Sequence, residues 1–172
     1  MAALSLKPSE FRAITAEVEE LYVRFKSLPM DGFRDAEVDI TSEPVHGVIL
    51  RGRVDAVFSD AGGVRIVDWK TGSHLDDAEP QLAFYAMAWW IAHRSLPRSL
   101  EAISLRTGER RVSVPSGTDV EVTERLVAEM ITVLRRAMSN DSELSRTAGP
   151  HCRWCPLLAE CAEGTTALAI LG

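Results

Sequence analysis

No run of apolar residues reaches the roughly eighteen needed to cross a bilayer. This excludes a membrane-spanning helix anywhere in the 172-residue chain. Met1 to Ser9 lacks the basic-then-apolar pattern of a signal peptide, so a cytoplasmic protein is expected. Positive charge is also short: 19 Lys and Arg against 25 Asp and Glu leave a net charge of −6, the wrong sign for a free-standing, non-specific DNA binder. The acidic excess lies in the first half. Beyond His93 the charges balance, and scattered arginines there, among them Arg94, Arg98, Arg106, Arg110, Arg111, Arg135, Arg136, Arg146 and Arg153, read as surface residues able to make local phosphate contacts. Cysteine is absent before position 152, and the 3 present cannot pair without leaving one thiol over. There is no repeat and no low-complexity segment.

What is present suits one globular domain of ordinary size, since 46% of residues are apolar and mean hydropathy is −0.01. Ser9 to Ser27 carries Phe11, Ile14, Val18, Leu21, Tyr22 and Phe25 near a period of 3.6, which predicts an amphipathic helix ended by Pro29. Alternation over Arg34 to Ile40 and from Val45 through Trp69 predicts three antiparallel strands. A buried helix is expected over Glu79 to His93, its aromatics serving the core. A second hairpin follows over Leu100 to Leu105 and Arg110 to Val114, then an amphipathic helix over Val120 to Met138. The order α-βββ-α-ββ-α predicts an α/β (α+β) fold, a mixed central sheet flanked by helices.

Chemistry concentrates in Gly52-Arg53-Val54-Asp55, Val67-Asp68-Trp69-Lys70-Thr71-Gly72 and Gln81-Leu82-Ala83-Phe84-Tyr85. Ser59 to Gly63 supplies turn residues between the first two segments. A loop symmetric about Ala61 and Gly62 sets Asp55 opposite Asp68, Arg53 opposite Lys70 and Val57 opposite Ile66. A turn centred on Gly62-Gly63 sets Lys70 opposite Asp55 and keeps Asp68 on the same side. Either register gathers two carboxylates and a lysine. Carboxylates that close repel, and the resolutions are a raised pKa, a neighbouring cation or a bound metal. One lysine cannot neutralise both. Oxygen ligands with open positions suit Mg²⁺ or Mn²⁺, with the lysine assisting the attacking water or the phosphate in phosphodiester hydrolysis. The plain alternative is a salt bridge on an exposed hairpin. Gln81 and Tyr85, spaced i, i+4, share one helix face.

A G-x-x-D strand, a D-x-K strand and a Q-x-x-x-Y helix in this order resemble the RecB-like branch of the PD-(D/E)XK nuclease superfamily. The resemblance runs specifically from about Glu37 to Tyr85 and implies a restriction-endonuclease-like core. It further implies Asp55 and Asp68 as ligands of Mg²⁺ or Mn²⁺, Lys70 as the catalytic lysine, and Gln81 and Tyr85 as groups that position the site or the substrate strand. Glu37 falls where related nucleases often carry a glutamate on the first strand; its other reading is a solvated strand residue. The activity implied is hydrolysis of single-stranded DNA ends in repair and recombination, with a helicase domain or subunit delivering the strand to a protein of weak intrinsic DNA affinity.

The tail over 150–162 holds all three cysteines, Cys152, Cys155 and Cys161, in a C-x₂-C-x₅-C cluster. With an aromatic before the second cysteine and a proline after it, the tail resembles the C-terminal triplet of the iron-sulfur subset of these nucleases, found in helicase-nucleases of the AddB/AdnB type. That likeness implies a four-iron four-sulfur cluster whose fourth cysteine lies far upstream, and no such cysteine is present. Unligated thiols, or zinc held with the adjacent His151, are the alternatives. The family's upstream helical histidine is missing too. Ser9 to Ser27 contains none, and neither His46 nor His74 occupies that motif position. The chain is therefore expected to be the C-terminal part of a longer protein. A non-catalytic DNA-binding or scaffolding domain that keeps the nuclease fold is the competing reading.

Overall fold

A computed structural model describes residues 6–139 and 144–171 of the chain. Backbone contacts divide it into two compact units, Met1–Ala128 and Glu129–Gly172. The first opens with helix α1 (Pro8–Lys26), continues through strands β1 (Phe33–Val45), β2 (Val48–Asp60) and β3 (Gly63–Lys70), and crosses by helix α2 (Ala78–His93) to β4 (Ser99–Ser104) and β5 (Arg110–Ser113). Helix α3 (Gly117–Met138) follows. The strands form one sheet in the order β1-β2-β3-β4-β5. All neighbours are antiparallel except β3 and β4, which run parallel from Arg65↔Ser99 to Lys70↔Ser104. A parallel pair needs a long crossover, and α2 is that crossover. The mixed sheet with flanking helices is the architecture that the order of elements predicts.

The β2–β3 pairing follows the register centred on Ala61 and Gly62, from Ala56↔Val67 and Val57↔Ile66 to Asp60↔Gly63. Two features of the turn set it. Asp60 Oδ1 accepts the Gly62 N–H at 2.7 Å, and Gly63 takes φ +115°, a conformation open to glycine at little cost. Strand β1 runs five residues past the predicted end at Ile40, to Val45, because Thr41, Ser42 and Val45 continue the ladder against Arg51, Leu50 and Val48.

Helix α2 is apolar on every side, and it buries Leu82, Tyr85, Ala86, Met87, Ala88 and Trp89. It packs against Ile40, Val54, Val57, Ile66, Leu100 and Ala102 of the sheet. Each fully buried aliphatic such as Ile66 or Leu100 contributes about 1.5–3 kcal/mol. Ala56, Phe58 and Val67 form a smaller cluster with Trp69 and Ile103. There Phe25 of α1 meets Trp69 edge-on, ring centres 4.8 Å apart. Helix α1 is less buried than its periodicity suggests: Leu21 and Phe25 are half-covered, whereas Phe11, Ile14, Val18 and Tyr22 are exposed. Helix α3 likewise buries only Val120 and Val127.

In the second unit, two 3₁₀ turns (Pro150–Trp154 and Leu158–Glu160) lead into helix α4 (Ala162–Leu171), an element not assigned from the sequence. The turns pack on α4 at Gly164, where an added Cβ would lie 3.2 Å from Leu158 Cδ1, 3.4 Å from Cys161 Sγ and 3.5 Å from Cys152 Sγ. Among the described residues no helix is long and apolar enough to cross a membrane.

Candidate active site

The ladder between β2 and β3 stops at Ala56↔Val67, and the two strands part there. Asp55 is the reason. Its Oδ2 takes the backbone N–H of Trp69 at 2.7 Å, so a carboxylate stands where a strand carbonyl would otherwise bond. Across β2 the partner strand is irregular at the same level, with Glu37 at φ +53° between the paired residues Ala36 and Val38. For a non-glycine residue inside a strand that is a strained conformation.

Asp68 points from β3 into the resulting fork and is only 3% exposed. Its Oδ1 accepts from Gln81 Nε2 at 3.1 Å. Its Oδ2 lies 2.8 Å from Lys70 Nζ, an ion pair at an angle that is not a hydrogen bond, and that buried oxygen has no other partner among the described residues. Lys70 Nζ donates to Gln81 Oε1 at 2.5 Å. Gln81 Nε2 also donates to the Tyr85 hydroxyl at 2.8 Å, and that hydroxyl donates to the Arg53 carbonyl at 2.7 Å. One chain of bonds thus ties β3 to α2 and α2 to β2, with Gln81 at its centre.

Gly52 makes the close approach of α2 possible. A Cβ there would sit 3.2 Å from Phe84 Cε1 and 3.3 Å from Tyr85 Cε1. The glycine of the G-x-x-D segment is therefore a steric requirement of the Tyr85 contact and has no need of an unusual backbone angle.

Electrostatics follow from this burial. Desolvation raises the Asp68 pKa, the adjacent Lys70 ammonium works against it, and the Asp55 charge adds to it. Burial likewise raises the Tyr85 phenol, opposed by its bond to Gln81. Asp55, Asp68, Lys70, Gln81 and Tyr85 are brought together, by direct bonds or along the parted strands. Glu37 is not part of this network. Its carboxylate faces Arg53 Nη1 at 3.6 Å, beside Asp39, which takes Arg53 Nε at 2.9 Å and Nη2 at 3.2 Å. The guanidinium bond to Arg53 lowers the Asp39 pKa.

A divalent ion fits this donor set. Asp68 Oδ2 is a buried oxygen without a hydrogen bond, and Asp55 shares the fork with it. Mg²⁺ takes one or two carboxylates and completes its shell with water and phosphate. No group of three or more His, Cys, Asp or Glu side chains converges among the described residues, so protein ligands alone do not enclose an ion. The cysteine triplet fits a metal group less fully. Cys152 is buried, Cys155 exposed and Cys161 half-buried, and all three thiols are free. With His151 they line a cavity of about 380 Å³ in the second unit, but the His151 ring nitrogen Nε2 lies 3.0 Å from the Thr147 carbonyl. Three thiols are one short of a cluster's usual four.

Local sequence patterns carry no sign of the Trp69 N–H or the Arg53 carbonyl as partners in the site. Backbone groups carry no sequence signature, and pairing across the sheet shows only once the strands are aligned.

Residues 3–162 match the family model of the PD-(D/E)XK nuclease superfamily. Among solved structures, the chain is similar to that of a "Putative exonuclease" from Eubacterium rectale, at 17% identity and a TM-score of 0.55, over 86% of this chain and 60% of that one. It is also similar to the structure of SSO0001, at 19% identity and a TM-score of 0.50, over 90% of this chain and 71% of that one. At these identities the likeness is one of fold, and the chain spans three-fifths of the Eubacterium rectale protein. No match is found among curated proteins.

Proposed function

Since the chain belongs to the PD-(D/E)XK nuclease superfamily, we propose that it is a metal-dependent deoxyribonuclease acting on single-stranded DNA ends, fed by a helicase domain or subunit in repair and recombination. The buried Asp68 Oδ2, paired with Lys70 alone and beside Asp55, carries this reading. Asp55 and Asp68 would hold Mg²⁺ or Mn²⁺. When bound, the ion supplies charge neutralisation at the phosphate and a water of lowered pKa.

The protein groups do the rest. Lys70 presents its ammonium at the mouth of the fork, one-third exposed, where it offsets charge developing on phosphate oxygens and orients the attacking water. Gln81 holds Asp68 and Lys70 at once, so neither rotates independently. Tyr85 fixes Gln81 and anchors it to the Arg53 carbonyl. The net charge of −6 agrees with strand delivery by a partner rather than by intrinsic affinity. The fold likeness to a protein described as an exonuclease supports action at strand ends. A four-iron four-sulfur cluster at Cys152, Cys155 and Cys161 belongs to the same reading, with its fourth ligand supplied from elsewhere; anaerobic reconstitution giving a brown, air-sensitive protein in wild type and a colourless one in Cys152→Ser tests it.

The second reading, a non-catalytic DNA-binding domain, draws on the absence of a third converging ligand among the described residues. Labelled single-stranded DNA incubated with Mn²⁺ separates the two. The nuclease reading requires cleavage by wild type that is lost in Asp68→Ala and Lys70→Ala. Equal background in all three overturns it.

A further inference from the structure

Three successive carbonyls at the end of β3 are captured by one short turn. The Leu105 N–H donates to the Lys70 carbonyl at 2.8 Å, Arg106 Nε to the Thr71 carbonyl at 3.1 Å and Ser104 Oγ to the Gly72 carbonyl at 2.7 Å. The first continues the parallel ladder, whose last rung is Lys70↔Ser104. The other two are side-chain bonds beyond the ladder, placed where β3 would otherwise fray. Ser104 is completely buried, and its Oγ also accepts the Thr107 N–H at 3.1 Å, which fixes the hydroxyl from both sides.

Arg106 reaches further. Its Nη2 is ion-paired with Glu17 of α1. The same helix touches the turn again through Arg24 Nη1, 3.4 Å from the Leu105 carbonyl, and touches β3 through Phe25 against Trp69. Helix α1 therefore holds both Trp69, the residue between Asp68 and Lys70, and the turn that fastens the backbone after Lys70. Lys70 has a flexible four-carbon stem, and its side-chain partners can aim the ammonium only if its Cα is held.

We propose that Arg106, supported by Ser104 and held by Glu17, is a positioning residue for Lys70. It rests on Lys70 acting in cleavage as proposed above. Arg106 touches neither the candidate metal ligands nor the Lys70 ammonium, so its effect runs through the Thr71 carbonyl. A displacement of about 1 Å at a reacting group costs up to ~100-fold, and loss of one of three anchors is expected to lower kcat by about tenfold.

The test is Mn²⁺-dependent cleavage of labelled single-stranded DNA by the full chain, with wild type, Arg106→Ala, Arg106→Lys, Glu17→Gln and Lys70→Ala. Glu43→Gln, at the β1–β2 turn where the Glu43 carboxylate accepts the Gly47 N–H at 2.8 Å, is the control. Expected are a kcat reduced about tenfold in Arg106→Ala with KM unchanged, an intermediate kcat in Arg106→Lys, which keeps a donor but loses the two-ended fork, and wild-type kcat in Glu43→Gln. Hydrogen exchange at the Leu105 amide should quicken in Arg106→Ala. A wild-type kcat in Arg106→Ala beside an inactive Lys70→Ala overturns the positioning role alone, as does a change confined to KM. A fully active Lys70→Ala overturns the reading of the site, and the positioning role with it. If Arg106→Ala does not fold, wild-type kcat in both Arg106→Lys and Glu17→Gln overturns the proposal.

Discussion

Adding Mn²⁺ should stabilise the protein in a way that depends on Asp68 and on pH. Burial raises the Asp68 pKa above its unfolded value of about 3.9. The folded state then binds more protons than the unfolded chain across the window between the two values. Its contribution is favourable below the unfolded pKa and is lost as pH rises through the folded one. Above that folded value the protein carries an ionised carboxylate, 3% exposed, whose charge Lys70 alone offsets. A bound divalent ion reverses the sign, because it favours the charged form. At one hundred times its dissociation constant the ion contributes about 2.7 kcal/mol. For a chain of this length, where each kcal/mol moves Tm by about 2–4 °C, the expected rise is roughly 5–11 °C. Thermal unfolding followed by circular dichroism at pH 5 and pH 8, with and without Mn²⁺, measures it. The shift should be larger at pH 8 and collapse in Asp68→Asn, which keeps an acceptor for Gln81 but lacks the charge. Equal shifts in wild type and Asp68→Asn, or no pH dependence, would refute the reasoning.

Other expectations follow from single contacts. Gly52→Ala forces a methyl to 3.2 Å from Phe84 and 3.3 Å from Tyr85, and since Tyr85 is tied at its hydroxyl the cost should be about 1–3 kcal/mol in urea unfolding, with a matching loss of cleavage. Tyr85→Phe leaves the Arg53 carbonyl without its donor and should cost about 1–3 kcal/mol; an unchanged denaturation midpoint would count against the network. Ser116 and Asp119 cap α3, with Asp119 Oδ2 taking the Ser116 N–H at 2.8 Å and the hydroxyl at 2.6 Å, and these bonds lower the Asp119 pKa. That contribution is present above the unfolded pKa and disappears as pH falls through the lower folded value, so Ser116→Ala should reduce helicity at pH 7 and bring it closer to wild type near pH 2.

Much of the site is legible in the chain because strand chemistry is local. The turn residues Asp60, Gly62 and Gly63 select the register, and with the register chosen, Asp55 and the Asp68-Trp69-Lys70 segment are committed to the same end of the hairpin. The i, i+4 spacing commits Gln81 and Tyr85 to one helix face. Glu37 shows where this reasoning stops. Alternation places it on a regular strand, but it takes φ +53°, and its carboxylate lies 3.6 Å from Arg53 Nη1, outside the Asp68 network. The apolar stripes of α1 and α3 were equally readable as helices, yet period alone says nothing of what covers them, and in this chain Phe11, Val18, Leu126 and Met130 are exposed.

The same limit accounts for Arg106. In sequence it is one of ten scattered arginines after His93, with Thr107-Gly108 marking a turn and nothing marking a partner. Its two partners, Thr71 and Glu17, lie 35 and 89 residues away, and one of them is a backbone oxygen. Only the parallel pairing of β3 with β4 brings the turn beside the strand end, and that pairing depends on the crossover by α2, the helix that carries Gln81 and Tyr85. One crossover therefore assembles two things: the network in front of Lys70 and the anchor behind it. A substitution that loosened α2 from the sheet would disturb both, whereas one at Arg106 or Glu17 disturbs the anchor alone, so comparing Gly52→Ala with Arg106→Ala separates the two sides of Lys70.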